Sequence, residues 1–177
     1  MFLTEFFGFF SLSAFTMWGF LMAFFFNVFV YSLNVKRDTN LLFSSFVMMV
    51  SYTLSDYFFT WLSIKTTVYL DWAIYDVLTI LILSVSLACK KKTSVSFIYL
   101  TVGLSINLTF FLLMYFDLYV HQNKERWLLW DIYAVSVNII DVIMIVALIV
   151  DRDFLGLHKL KNKTINYFKS NDTHKVT

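Results

Sequence analysis

The chain has 177 residues, of which 59% are hydrophobic, 20% aromatic and only 15% charged, with a formal net charge of +2. A soluble domain carries about 25% charged residues, and a chain this short leaves much of its surface in contact with solvent, so an ordinary soluble domain is excluded. A disordered segment, a coiled coil and, with Cys89 the single cysteine, a disulfide scaffold are excluded too, which leaves an integral membrane protein.

Five apolar stretches, at about 6–34, 41–64, 68–89, 94–120 and 127–150, are separated by short charged breaks. As helices, each is long enough to cross a hydrocarbon core of about 30 Å once. The first has no Asp, Glu, Lys, Arg or His between Glu5 and Lys36. It would run for roughly 45 Å as helix, so it is expected to tilt or protrude. It lacks the basic start and small-residue cleavage site of a signal peptide and is read as a retained helix. No stretch alternates as a membrane strand does. The expected fold is all-α: a polytopic bundle of five transmembrane helices over 1–150, followed by a basic tail, 151–177.

Lys and Arg set the expected orientation. Eleven lie in the first loop (Lys36, Arg37), the third loop (Lys90 to Lys92) and the tail, against three (Lys65, Lys124, Arg126) on the other side. The positive-inside rule then puts the N-terminus outside and the tail in the cytoplasm. Trp61, Trp72, Trp127 and Trp130 fall near the outer ends of their stretches, where interfacial anchors belong. Phe154, Leu157 and Leu160 recur at helical spacing in the tail among Lys159, Lys161 and Lys163, a pattern for the inner leaflet or for a solvated tail that fixes topology. Asn162-Lys-Thr and Asn171-Asp-Thr match the glycosylation pattern but lie on the expected cytoplasmic side.

Shifting the chain by about 58 residues lays Trp72-Ala73-Ile74-Tyr75 over Trp130-Asp131-Ile132-Tyr133, with Leu54, Tyr57, Phe58 and Val77 over Leu112, Tyr115, Phe116 and Val135. One reading is a lone helix followed by two parallel hairpins, as in transport folds. The other is that membrane interfaces select Trp and Tyr at helix starts.

Carboxylates inside a span are costly and point to a functional site. Asp56, Asp76, Asp131 and Asp141 fall within the stretches, whereas Asp71 and Asp117 are expected in solvent near the outer surface. At about 100° per residue, Asp131, Asn138 and Asp141 share a face within roughly 80°. Ser45, Tyr52, Asp56 and Thr60 form a stripe on the second stretch; Asp76 and Thr79 mark the third, and Thr101, Ser105 and Asn107 the fourth. Helices two to five are therefore expected to enclose a polar interior. Helix one, rich in Phe, is expected to pack outside against lipid or a neighbouring subunit. No Lys, Arg or His lies deep in a span to pair with these acids. They either carry protons and fasten helices together, line water and meet a cation, or await a basic group on a partner.

Other chemistry is argued against. No lysine within a span offers a Schiff base, and His121, His158 and His174 are dispersed, so no metal or cofactor is expected. There is no phosphate-binding Gly-rich loop and no nucleophile–His arrangement, so no catalytic residue is assigned and an enzyme is not expected. Proline is absent and Gly occurs four times, without the broken-helix signature of many transporters. Nucleic acid is not an expected partner; the lipid bilayer and a second copy or another membrane protein are. The setting is expected to be a bacterial inner membrane.

Two functions fit these residues. One is a non-catalytic accessory, regulatory or immunity/defence-type subunit acting on another membrane protein. The other is a small oligomeric cation or proton channel or carrier that uses Asp56, Asp76, Asp131, Asn138 and Asp141.

Overall fold

The computed structural model describes residues 12–34, 38–62, 68–89, 94–123, 125, 127–153, 155–157 and 163, and the side chains of 12, 13, 56–62 and 87–89 lie outside that description. Among the described residues there is no strand. The helices are α1 (Leu12–Ser32), α2 (Thr39–Leu62), α3 (Val68–Cys89), α4 (Val95–Tyr115) and α5 (Leu128–Val150). A π-helical turn, Phe116–Val120, prolongs α4. Segments Ala14–Ser32, Val68–Ser86, Val95–Val120 and Leu128–Val150 are each long and apolar enough to cross a membrane. Helix α2 is not among these four. Its sequence carries Ser44, Ser45, Ser51, Tyr52, Ser55 and Asp56.

Polar residues in the breaks set several helix ends. The Asp38 carboxylate accepts from the backbone N–H groups of Asn40 and Leu41, at 3.0 and 3.3 Å, and caps α2. Ser94 Oγ accepts from the Phe97 N–H and caps α4. Asn34 and Asp151 leave their helices with φ of 59° and 45°, the left-handed conformation that commonly ends a helix.

Consecutive helices pack side by side, and α5 returns to α1, so the five close into a ring. The contacts run in alternating directions. Phe20 meets Tyr52 while Phe24 meets Phe46; Ser51 bonds Thr79; Trp72 meets Phe111; Asn107 bonds Asp141 while Ser96 bonds Ala147. Helices α1, α3 and α5 therefore start at one end, here the upper end, and α2 and α4 start at the lower. Close approach matters at Gly103, where a Cβ would lie 2.5 Å from Met144 Sδ.

Helix α1 differs from expectation. It is a full member of the ring rather than a peripheral helix. Thr16, Phe20, Ala23 and Asn27 are buried, and their spacing of four, three and four residues makes one inward stripe. The Asn27 amide donates to the Leu148 carbonyl at 3.1 Å, one of the last carbonyls of α5, which lack a partner within their own helix. The Phe-rich character of α1 belongs to its other face, where Phe15, Phe25, Phe26 and Phe29 are exposed.

The outer surface is apolar on every helix, for example Phe29 (61% exposed), Val85 (64%) and Val135 (58%). A water-facing domain does not display a continuous apolar belt of this extent. The apolar core is not centred. Leu41, Met48, Leu83, Leu100, Leu104, Met144 and Leu148 form it together with Phe20, Ala23 and Val47. All seven of the first group belong to the lower halves of their helices.

Candidate functional site

Above that core, the middle of the ring holds a cavity of about 330 Å³. Every helix contributes to it: Thr16 from α1, Ser51, Tyr52 and Ser55 from α2, Trp72, Tyr75 and Asp76 from α3, Asn107 and Phe111 from α4. Helix α5 adds Tyr133, Ala134, Val137, Asn138 and Asp141. No Lys, Arg or His is among these lining residues.

The floor is polar and built around Asp141, which is 5% exposed. Its Oδ1 accepts from the Tyr52 hydroxyl at 2.7 Å and from Asn107 Nδ2 at 2.8 Å. These two bonds tie α2, α4 and α5 together at one level. Asp76, on α3, is also buried and lies within electrostatic reach of Asp141. Below Asp76, Thr79 and Ser51 share a hydrogen bond between α3 and α2. Thr79 also donates to the Tyr75 carbonyl one turn back. Among the described residues, two buried oxygens have no hydrogen-bond partner: Asp76 Oδ2 and Asn107 Oδ1. Buried polar atoms are rarely left in this state, and both belong to residues that line the cavity.

The wall above the floor is aromatic. Trp72 lies 5.4 Å from Phe111 between ring centroids, Phe111 lies 6.1 Å from Tyr133, and Tyr69 bridges Trp72 and Tyr133 at 5.6 and 5.7 Å. Below the floor, Phe20 packs on the Tyr52 ring at 4.2 Å, and the apolar core fills the ring from there down.

The sequence-derived candidates separate. Asp76, Asn138 and Asp141 come together on the cavity. Asn138 Nδ2 donates to the Ala134 carbonyl one turn back. Asp131 is exposed and is not on the cavity lining; its offset of roughly 80° from Asp141 around the helix turns it out of the ring. The side chains of Asp56 and Trp61 lie outside the described ones. Trp72 is half-buried and lines the cavity, while Trp127 is exposed at the start of α5. The two copies of the repeated segment match in part: Ala73 is buried where Asp131 is exposed, and Trp72 lines the cavity where Trp130 bonds Asp117. Tyr75 and Tyr133 both face the cavity, and Ile74 and Ile132 both face outward.

Asp117 departs from the solvated position expected of it. It is buried in the π-helical turn. Its Oδ2 accepts from the indole N–H groups of Trp127 and Trp130, both at 2.9 Å, and its Oδ1 from Asn123 Nδ2. The carboxylate thus latches the loop between α4 and α5. A second polar tie closes the lower end. Ser96 bonds Asp151 and the Ala147 carbonyl, and the Tyr99 hydroxyl donates to Asp153 and accepts from the Leu155 N–H.

Among the described residues, no group of three His, Cys, Asp or Glu is placed to hold a metal ion. The cavity offers carboxylate and amide oxygens, hydroxyls and ring faces, a set suited to binding a cation. No protein-family model, curated protein or solved structure matches the chain.

Proposed function

We propose that the protein is a five-span membrane protein whose central cavity takes up a cation, in the class of small carriers. The carrying observation is the pair Asp76 and Asp141, both buried on a cavity whose described lining residues include no basic side chain. Intramembrane carboxylates mark ion or substrate pathways when they face a cavity. In this reading α2 is the fifth span, its polar residues turned into the ring. The excess of Lys and Arg in the lower loops and tail supports an upper end that faces outward, as in a bacterial cell membrane. The cation enters from above, because the apolar core closes the ring below the floor. That core favours a carrier over an open pore.

The test is a cation series against purified protein, read as the temperature of unfolding, since a ligand stabilises the state that binds it. At least one cation should stabilise the wild type and not the Asp76→Asn/Asp141→Asn double variant. The same cation should show saturable flux into liposomes. Equal stabilisation of the double variant would overturn the proposal.

A second reading, an accessory, regulatory or immunity/defence-type subunit bound to another membrane protein, is favoured by the helices themselves. All five run unbroken past the cavity. Stabilisation by no cation would favour that reading, and capture of the protein alone from mild detergent would count against it.

A further inference from the structure

We infer that the cation is a protonated primary amine with a compact apolar body. This rests on the cation-binding reading above and narrows it. Three observations on the cavity select this chemistry over an inorganic ion. The first is the kind of atom left unpaired: Asp76 Oδ2 and Asn107 Oδ1, buried atoms of two lining residues that lack a partner among the described residues, are oxygens that accept, the first as a carboxylate and the second as an amide carbonyl. An ammonium group has three N–H donors and no acceptor, so it matches both oxygens in kind. Asn107 is 1% exposed, and its Nδ2 is already committed to Asp141, which leaves its carbonyl oxygen to the ligand. The second is the aromatic wall of Trp72, Phe111 and Tyr133 on three helices. Ring faces attract organic cations and pack against their apolar parts. A bare metal ion would be held by oxygens alone and would leave that wall unused. The third is size. At about 330 Å³, the cavity is at the small end of the range for small-molecule sites and far larger than one ion requires.

The geometry divides the ligand into head and body. The ammonium sits at the floor between α3 and α4, near Asp141. The body lies above it, among the rings and Val137. Asp76 and Asn107 are thus the specificity residues for N–H donors, and Trp72 is the specificity residue for the body.

The test uses purified full-length protein in phosphatidylcholine nanodiscs, with tryptophan fluorescence and unfolding temperature as readouts. The probes are phenylethylamine, its trimethylammonium counterpart, phenylethanol, and sodium and potassium chloride. Phenylethylamine should bind saturably. The trimethylammonium compound, which has no N–H, and the uncharged alcohol should bind at least about tenfold more weakly, the worth of one hydrogen bond to a charged group. Asp76→Asn should weaken phenylethylamine by about tenfold to a hundredfold, and Trp72→Leu by about threefold or more. Asp76 Oδ2 has no partner among the described residues, so Asp76→Asn should fold. It keeps the test decisive even where Asp141→Asn does not fold. Adding phosphatidylethanolamine separates two sources of the same head group: competition assigns the site to a lipid amine, and its absence to a soluble one. Equal or tighter binding of the trimethylammonium compound would overturn the inference. Response to sodium or potassium without response to any amine would also overturn it and leave the cation reading standing. Response to no cation would sink both.

Discussion

The two halves of the ring use the same five helices in opposite ways. In the lower half, Leu83, Leu100, Leu104, Met144 and Leu148 meet at the axis, all fully buried, and Gly103 lets α4 and α5 approach closely. Above that core, the same helices turn Asp76, Asn107, Asp141 and five aromatic residues toward the axis and leave a cavity. In lipid the outside of a bundle gains little from hydrophobic burial, so close packing holds helices together. The lower half supplies that packing. The upper half is thereby free to keep polar groups unsatisfied. The contrast separates a part that is closely packed from a part that keeps polar groups around a cavity.

Substitutions should divide along the same line. The largest loss is expected from Leu104→Ala in the lower half, about 2–5 kcal/mol for a cavity left in a packed core, measured as unfolding free energy in mixed micelles. Gly103→Val should cost about 1–3 kcal/mol, because its side chain would strike Met144; trimming Met144 in the same chain should restore part of the loss. Tyr52→Phe removes one donor to Asp141 and should cost about 0.5–1.5 kcal/mol. Asn27→Leu removes the tie between α1 and α5 and should cost about 0.6 kcal/mol, the average for a hydrogen bond between membrane helices. Asp76→Asn should leave stability unchanged or raise it, since it replaces a buried carboxylate whose Oδ2 has no hydrogen-bond partner among the described residues. A destabilised Asp76→Asn, or a harmless Leu104→Ala, would break the division.

Much of this was legible in the sequence, for stateable reasons. Asp76 and Asp141 stand out because a charge in an apolar helix has few places to go. Tyr52 and Asn107 fall on the polar stripes of their own helices and proved to be the donors to Asp141. Thr16 was hidden by its neighbours, since in a helix so rich in Phe one hydroxyl does not register. The spacing Thr16, Phe20, Ala23, Asn27 was the signal available. The aromatic wall was illegible in kind rather than in position. Trp and Tyr near a helix end read as interface anchors, and only the closing of the ring turns Trp72 and Tyr133 toward one cavity. Asp117 lies near a loop, where a carboxylate is ordinarily solvated; the π-helical turn and two indoles ten and thirteen residues later bury it.

The central claim, a cavity reached from the upper end only, is tested most directly by thiol labelling. In a Cys89→Ser background, Ser55→Cys places a thiol on the cavity lining and Ser45→Cys places one in the closed lower half. A membrane-impermeant cationic thiol reagent applied to right-side-out vesicles should modify Ser55→Cys quickly and leave Ser45→Cys untouched. Modification of Ser45→Cys at a comparable rate would show a water path through the lower half and contradict the account.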